Sequence, residues 1–582
     1  MLHTKTLLIA GAALLAAACD SPVLAQTAED ALGEWHGTIA SPQGEITLVL
    51  YVTKDENGAL KGQVENAYQA PGTMADIDAI SVEDGHLSWK IDRIGATFEG
   101  DWIEAEQHWA GTFNQGMQMP LAFEKGLPPP FAVVEGMDGR WEGTAELNGA
   151  KLRQILGIRT GERGTVVIYA SPDQLMMGAP VRDLAVEGDA VTFSLMNGIS
   201  NFAGTLSADR SELTGTFATT LNDNVATVSL TRGDFGEREP PKRPQNPQEP
   251  FPYAAEEVSF DNPQWPGVHL AGTLTIPEGE GPFPAAVMIT GSGGQDRDEA
   301  LMGHRPFAVI ADHLTRNGIA VLRYDDRGIG ESKSDTPYDA ATSADLATDA
   351  NAAFAFLRTR SEIDPLKIGF VGHSEGGMIA PIAMADNPDV AYAVLLAGPG
   401  TNLDQLLLSQ QRLLAATMGA SPKQLNDQEP VMAAMLKAIA EAPDPVSGKD
   451  AARAVLTPEA MQALGAPPDF DKDLIVNRIT GPWFQYFLKY DPIPNLARIR
   501  VPLLALNGSL DLQVPADDNL EAIRGATKDN PDVTIVKLDG LNHLFQHAET
   551  GGVGEYARIE ETFAPEALEL MSEWINARFG AN

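Results

Sequence analysis

Cysteine is almost missing from this chain: one residue, Cys19, stands among 582. It falls in a leader that the sequence marks for removal, so the mature protein is expected to hold no disulfide. Packing alone must then stabilise it, and neither a thiolate metal site nor a cysteine nucleophile is open to it. Basic residues are also scarce, 41 Lys and Arg against 80 Asp and Glu, a net charge of −39. That balance excludes nucleic acid and anionic membrane surfaces as partners. The 10 histidines are scattered and form no H-E-x-x-H pair. No metal is expected. Gly291-Ser292-Gly293-Gly294 lacks the lysine and spacing of a phosphate loop, so no nucleotide cofactor is expected either. The apolar run Leu7–Ala18 is too short to span a bilayer, and no transmembrane segment is expected in the mature chain.

That run follows Lys5 and precedes Val23-Leu24-Ala25. The pattern is that of a secretory signal peptide over residues 1–25, and it predicts export to the periplasm or beyond. Ala16-Ala17-Ala18-Cys19 offers a lesser alternative, a lipoprotein anchored through Cys19, but leucine is absent from the favoured position three before the cysteine. The length exceeds what one hydrophobic core organises, roughly 250–300 residues, so several domains are expected.

Residues 32–126 and 137–233 read as two copies of one unit. Gly33-Glu34-Trp35-His36-Gly37-Thr38 matches Gly139-Arg140-Trp141-Glu142-Gly143-Thr144. Val82/Val186, Phe98/Phe202 and Gly111/Gly215 then share one offset of 104 residues, which marks a duplication. Alternating runs such as Leu87-Ser88-Trp89-Lys90-Ile91, preceded by Asp-Gly turns, predict antiparallel strands in a small barrel or sandwich. Such modules could shield or position a catalytic domain, or bind a glycan or other ligand.

Residues 234–252 form a proline-stiffened linker, which predicts few contacts between the β region and the remainder. Beyond it, residues 253–582 change period. Ala285–Ile289, Ile319–Leu322, Ile368–Val371, Tyr392–Leu396 and Leu503–Leu506 are continuous apolar runs, with helical segments such as Pro306–Arg316 and Ser343–Arg358 between them. Strands covered on both faces imply a mostly parallel sheet with helices on each side. Between about 401 and 500 the alternation lapses, and Leu403, Leu406, Leu407, Leu413 and Leu414 recur at helical spacing. This stretch reads as a helical cap over a site.

The chemistry centres on Gly372-His373-Ser374-Glu375-Gly376, between an apolar strand and a small-residue helix. Glycines two before and two after Ser374 allow a strand-to-helix turn tight enough to strain it and to expose its hydroxyl. A serine nucleophile needs a base and an acid to orient that base. Asp511 and His543, each just past an apolar strand, satisfy the order Ser, acid, His. Asp517, Asp518 and Asp539 compete as acids and His547 as base; the first two lie at a helix, Asp539 follows the wrong strand, and His547 reads as a solvent-facing neighbour. The backbone N–H groups of Glu375 and Ser292 are the expected oxyanion donors, with Gly291 and Gly293 as alternatives to Ser292. The Glu375 carboxylate should point away from the forming anion. The charged run Gln295–Glu299 could bind substrate or form an internal ion-pair cluster.

Tyr324-Asp325-Asp326-Arg327-Gly328-Ile329-Gly330-Glu331-Ser332 resembles the D-x-R-G-x-G-x-S turn of the α/β-hydrolase superfamily, where it is structural. With the turn at Ser374 and its partners, residues of about 255–580 resemble that superfamily, nearest to bacterial secreted esterases that are dienelactone hydrolase-like or serine aminopeptidase-like. Thr290-Gly291 departs from the His-Gly form of the family's oxyanion loop. The resemblance implies hydrolysis of small carboxylic esters through an acyl-enzyme on Ser374, or cleavage of short peptides and aminoacyl amides by the same fold. A reading from another class is a glycan- or lipid-binding protein with a vestigial hydrolase.

Overall fold

The computed structural model of the protein describes residues 27–580 apart from 42–43, 68–72, 116–117, 197, 221–223, 234–240 and 467–469. The leader with Cys19 and the start of the linker lie outside the described residues. The described residues divide into two compact units. One runs to Glu135 and includes Arg159–Ile168; the other comprises Gly136–Ile158 and the chain from Tyr169 onward.

In the first unit, strands from Gly33–Ser41 to Gln118–Lys125 form one nine-stranded antiparallel sheet. The strands from Gly139–Leu147 to Val225–Gly233 close an eight-stranded barrel. Both copies use the same two local devices. The indole of Trp35 donates to the carbonyl of Ala31 at 2.7 Å, and that of Trp141 to Met137 at 2.9 Å. Each buried tryptophan thereby has a partner for its one polar atom. The Phe-x-Gly motif is equally physical. Residues i and i+2 share a strand face, and the rings of Phe98 and Phe202 lie where a Cβ on Gly100 or Gly204 would stand, 2.6 and 2.5 Å away. The barrel keeps a cavity of about 230 Å³ lined by Leu147, Leu152, Tyr169, Met176, Leu195 and Phe217.

The C-terminal sheet has eight strands: β1 (Ala254–Asp261), β2 (His269–Ile276), β3 (Phe283–Ile289), β4 (Ala320–Tyr324), β5 (Ile363–His373), β6 (Ala393–Leu396), β7 (Leu503–Gly508) and β8 (Val533–Leu538). Their order is β1-β2-β4-β3-β5-β6-β7-β8. The first two pairs, β1 with β2 and β2 with β4, are antiparallel; all later pairs are parallel. Val287, Phe370, Leu395 and Ala505 pack with the helices of one face, and Met288, Val371, Val394 and Leu506 with those of the other. This two-sided burial is what continuous apolar runs demand. Helices α1 (Pro306–Arg316), α2 (Ser343–Leu357) and α3 (Glu375–Ala385) connect the early strands. The cap begins with α4 (Leu403–Thr417) and α5 (Pro422–Glu441), and a later helix, α6 (Pro482–Lys489), returns to the sheet.

Three side-chain hydrogen bonds join the second repeat to the region beyond the linker. Asn148 of the barrel donates to the carbonyl of Gly419 at 2.9 Å, Gln174 to that of Met418 at 3.0 Å, and Asn224 to Gln424 at 2.8 Å. Met418 and Gly419 lie between α4 and α5, and Gln424 lies in the first turn of α5. Polar residues in the linker also find partners that composition cannot reveal. Arg243 donates to the carbonyls of Ala557 and Ile559, while Gln245 accepts the N–H groups of Thr562 and Phe563 and donates back to Phe563. Gln245→Ala leaves those two N–H groups without their acceptor, a loss of about 1–3 kcal/mol. We expect the thermal midpoint of the C-terminal region to fall by several degrees in calorimetry. An unchanged midpoint would show that the linker does not dock in solution.

Candidate active site

Ser374 follows the last residue of β5 and precedes α3, with φ +53° and ψ −118°. That is a strained conformation for a residue with a Cβ, and neighbouring glycines permit it. A Cβ on Gly372 would stand 2.1 Å from the carbonyl oxygen of Gly376, and one on Gly376 would stand 2.1 Å from that of Ile289. The Ser374 N–H donates to Leu396 of β6 at 2.8 Å, which anchors the turn to the sheet. The side chain is half-exposed, and its hydroxyl has no hydrogen-bond partner among the described residues.

Asp511 and His543 lie side by side. His543 Nδ1 lies 2.8 Å from Asp511 Oδ2, and both side chains are buried. Asp511 Oδ1 accepts the N–H groups of Gln513 and Val514, each at 2.8 Å. One carboxylate oxygen is thus held by backbone and the other faces the imidazole. Nδ1 must then carry the proton, which leaves the Nε2 lone pair free. The competitors sit elsewhere: Asp517 pairs with Lys537, Asp539 with Ser509, and His547 with Glu561 and Glu566 on the surface. Asp518 is exposed on the helix Ala516–Ala526.

The loop after β3 passes beside Ser374, where a Cβ on Gly291 would lie 3.3 Å from that of Ser374. The Gly291 N–H is engaged by Glu299 Oε1 at 2.7 Å. It is therefore no oxyanion donor. The N–H groups of Ser292 and Glu375 have no acceptor among the described residues. Asp326 holds the loop by accepting the Thr290 hydroxyl at 2.9 Å and the Gln295 N–H at 2.8 Å. The run after it forms the internal ion-pair cluster: Arg297 bonds Asp325, Glu257 and Glu331, and Asp298 bonds Arg305 and Arg323. Arg327 is structural, with Nε 2.7 Å from buried Asp349 and its guanidinium 5.3 Å from the centre of the Trp265 ring.

The Glu375 carboxylate is buried, and Oε1 accepts from the Ser343 hydroxyl at 2.6 Å and from Trp483 of α6 at 2.7 Å. The cap is thereby hydrogen-bonded to the residue after the nucleophile. Composition and spacing did not single out Trp483 or His373 for the site, and they marked Glu299 only as part of the charged run Gln295–Glu299. The one available signal was a histidine, His373, inside an otherwise apolar strand end.

With this geometry in view, residues 304–549 match the family described as serine aminopeptidase, S33. Esterase EstD of Thermotoga maritima is 29% identical over 285 residues, which make up 48% of this chain and 59% of that relative. The chain therefore spans under two thirds of its length. Among solved structures, the α/β hydrolase GrgF of Penicillium sp. sh18 is 20% identical with a TM-score of 0.36, over 56% of this chain and 100% of that one. The Pyrococcus furiosus esterase Pf2001 is 15% identical with a TM-score of 0.33, over 56% and 94%. The C-terminal region has the α/β-hydrolase fold.

Burial raises the carboxyl pKa of Glu375 above its ordinary value, though the bonds from Ser343 and Trp483 oppose the rise. The native state therefore favours its protonated form. Stability from this group is fully present below the ordinary glutamate pKa and is lost as pH rises through the raised native value. Glutamine keeps the acceptor and cannot ionise. Glu375→Gln should raise the thermal midpoint over wild type at about pH 8 and give no gain near pH 4, where both side chains are neutral. A gain independent of pH would refute this account.

Proposed function

We propose that the C-terminal region is a serine hydrolase of small carboxylic esters. The oriented Asp511–His543 pair carries this reading, because it leaves Nε2 as a base beside the strained turn that presents Ser374. Ser374 Oγ attacks the carbonyl carbon as His543 Nε2 takes its proton. The oxyanion binds the Ser292 and Glu375 N–H groups, and His543 returns the proton to the leaving oxygen. Water, deprotonated by the same imidazole, then releases the acyl group. Asp511 holds the tautomer throughout.

The relative described as an esterase favours ester over amide substrates. The family description, serine aminopeptidase, favours the second reading, cleavage of short peptides or aminoacyl amides. A vestigial site on a binding protein fits poorly, since such a site has no need of a carboxylate held by two N–H groups. The leader of residues 1–25 would place the enzyme outside the cytoplasm.

Ser374→Ala is expected to lower turnover of p-nitrophenyl acetate by at least about 10³-fold without changing the thermal midpoint. A fluorophosphonate probe should label the wild type once, and mass spectrometry should place it on Ser374. Labelling at another serine would overturn the assignment. Asp511→Asn removes the acceptor that selects the tautomer, and kcat should fall by roughly 10³–10⁴-fold with KM little changed. A panel of p-nitrophenyl esters beside aminoacyl p-nitroanilides separates the two substrate classes.

A further inference from the structure

His373 precedes the nucleophile and is buried, and the mechanism above makes no use of its side chain. Its Nδ1 lies 3.0 Å from Glu299 Oε1, and its Nε2 lies 3.0 Å from the main-chain oxygen of His543. A carbonyl cannot donate a hydrogen bond. Glu299 Oε1 is already an acceptor, taking the Gly291 N–H at 2.7 Å. With Glu299 as a carboxylate both imidazole nitrogens face acceptors, and only the imidazolium can donate to both. The pair is a buried cation and anion in one hydrogen-bonded chain: Gly291 N–H to Glu299, Glu299 to His373, His373 to the His543 carbonyl.

The ends of that chain are the two loops on which the reaction depends. One supplies the oxyanion donor at Ser292, next to Gly291. The other carries the general base. Resting on the serine hydrolase reading, we propose that Glu299 and His373 are positioning residues, a charged brace beneath Ser374 that fixes the oxyanion loop relative to His543.

Three further observations support the brace. Glu299 is buried with φ +52°, a backbone conformation that a glutamate adopts only where its surroundings impose it. Its Oε2 has no hydrogen-bond partner among the described residues, so the carboxylate is spent on Oε1 alone. Stability also explains such a pair poorly, because desolvation of two buried charges cancels much of their attraction. The other charged or titratable groups nearby are Asp511 and His543, from the loops after β7 and β8. Asp298, next to Glu299, is turned into Arg305 and Arg323, and Glu375 into Ser343 and Trp483. Burial disfavours the His373 charge, but the Glu299 carboxylate outweighs it and raises the imidazole pKa.

Glu299→Gln, made in the full chain, tests the proposal. Glutamine keeps the acceptor for Gly291 and removes the charge that holds His373 protonated. We expect kcat on p-nitrophenyl acetate to fall about 10- to 100-fold, with KM within about threefold and the thermal midpoint within a few degrees. The His373 and His543 rings are 4.9 Å apart between centres. Glu299→Gln removes both charges of the pair, and loss of the imidazolium, whose Nε2 bonds the His543 carbonyl, should move the acid limb of the kcat/KM profile upward by about half a pH unit. A purely structural role would not move that limb. Nitrogen NMR of ¹⁵N-histidine-labelled protein should show both His373 ring nitrogens protonated at about pH 7.5 in Ser374→Ala and one of them deprotonated in Glu299→Gln.

A neutral His373 in Ser374→Ala would overturn the brace. So would a Glu299→Gln enzyme with kcat within twofold and an unmoved acid limb, or one whose lost activity tracks a lost fold. The NMR result stands apart from turnover. If no ester or amide is hydrolysed and Ser374 takes no probe, the serine hydrolase reading fails while His373 protonation still reports on the charged pair.

Discussion

Ser374 takes a left-handed backbone between a parallel strand and a helix, and this one constraint governs what can surround it. Such a residue costs on the order of 1–3 kcal/mol and persists only where packing over-determines it. Here the Gly376 Cα lies against the Ile289 carbonyl, with no room for a Cβ, and the Ser374 N–H is claimed by Leu396. β3, β5 and β6 thus hold the turn jointly. The loops that serve it leave neighbouring strand ends, after β3, β7 and β8. Parallel strands put all their C-terminal ends at one edge, so groups far apart in sequence reach a single hydroxyl.

Those loops have little regular structure to hold them, and side-chain hydrogen bonds and ion pairs do that work instead. Asp326 ties the loop after β3 by accepting from Thr290 and Gln295, and Arg297 gathers Asp325, Glu257 and Glu331 behind it. Of these carboxylates Asp325 is buried, and Arg297 pairs the charge that would otherwise stand alone there. Exposed pairs such as Lys437–Glu441 contribute much less, because water screens them.

The barrel bears on the site through the cap. Asn148, Gln174 and Asn224 hold the α4–α5 turn and the start of α5, and Trp483 of the same cap bonds Glu375 next to Ser374. A positioning role for the second repeat accounts for these bonds. The barrel's cavity gives a ligand somewhere to go, but its lining residues bear no charge.

The sequence determined a great deal by itself. Local chemistry suffices for the turn at Ser374, since glycine spacing is a steric requirement that neighbours along the chain report directly. Periodicity suffices for the two β repeats, the doubly covered sheet and the helical cap. Asp511 and His543 were legible because a strand end followed by a polar residue has one meaning in a parallel sheet. The tertiary structure alone decided which charges are paired and with what. Glu299 joins His373 across 74 positions and Trp483 joins Glu375 across 108. Hydrogen bonds between residues so distant leave no periodic trace, because they depend on where loops converge in space. The docked linker belongs with them: Gln245 reads as a polar spacer until the loop at Thr562 and Phe563 is folded against it.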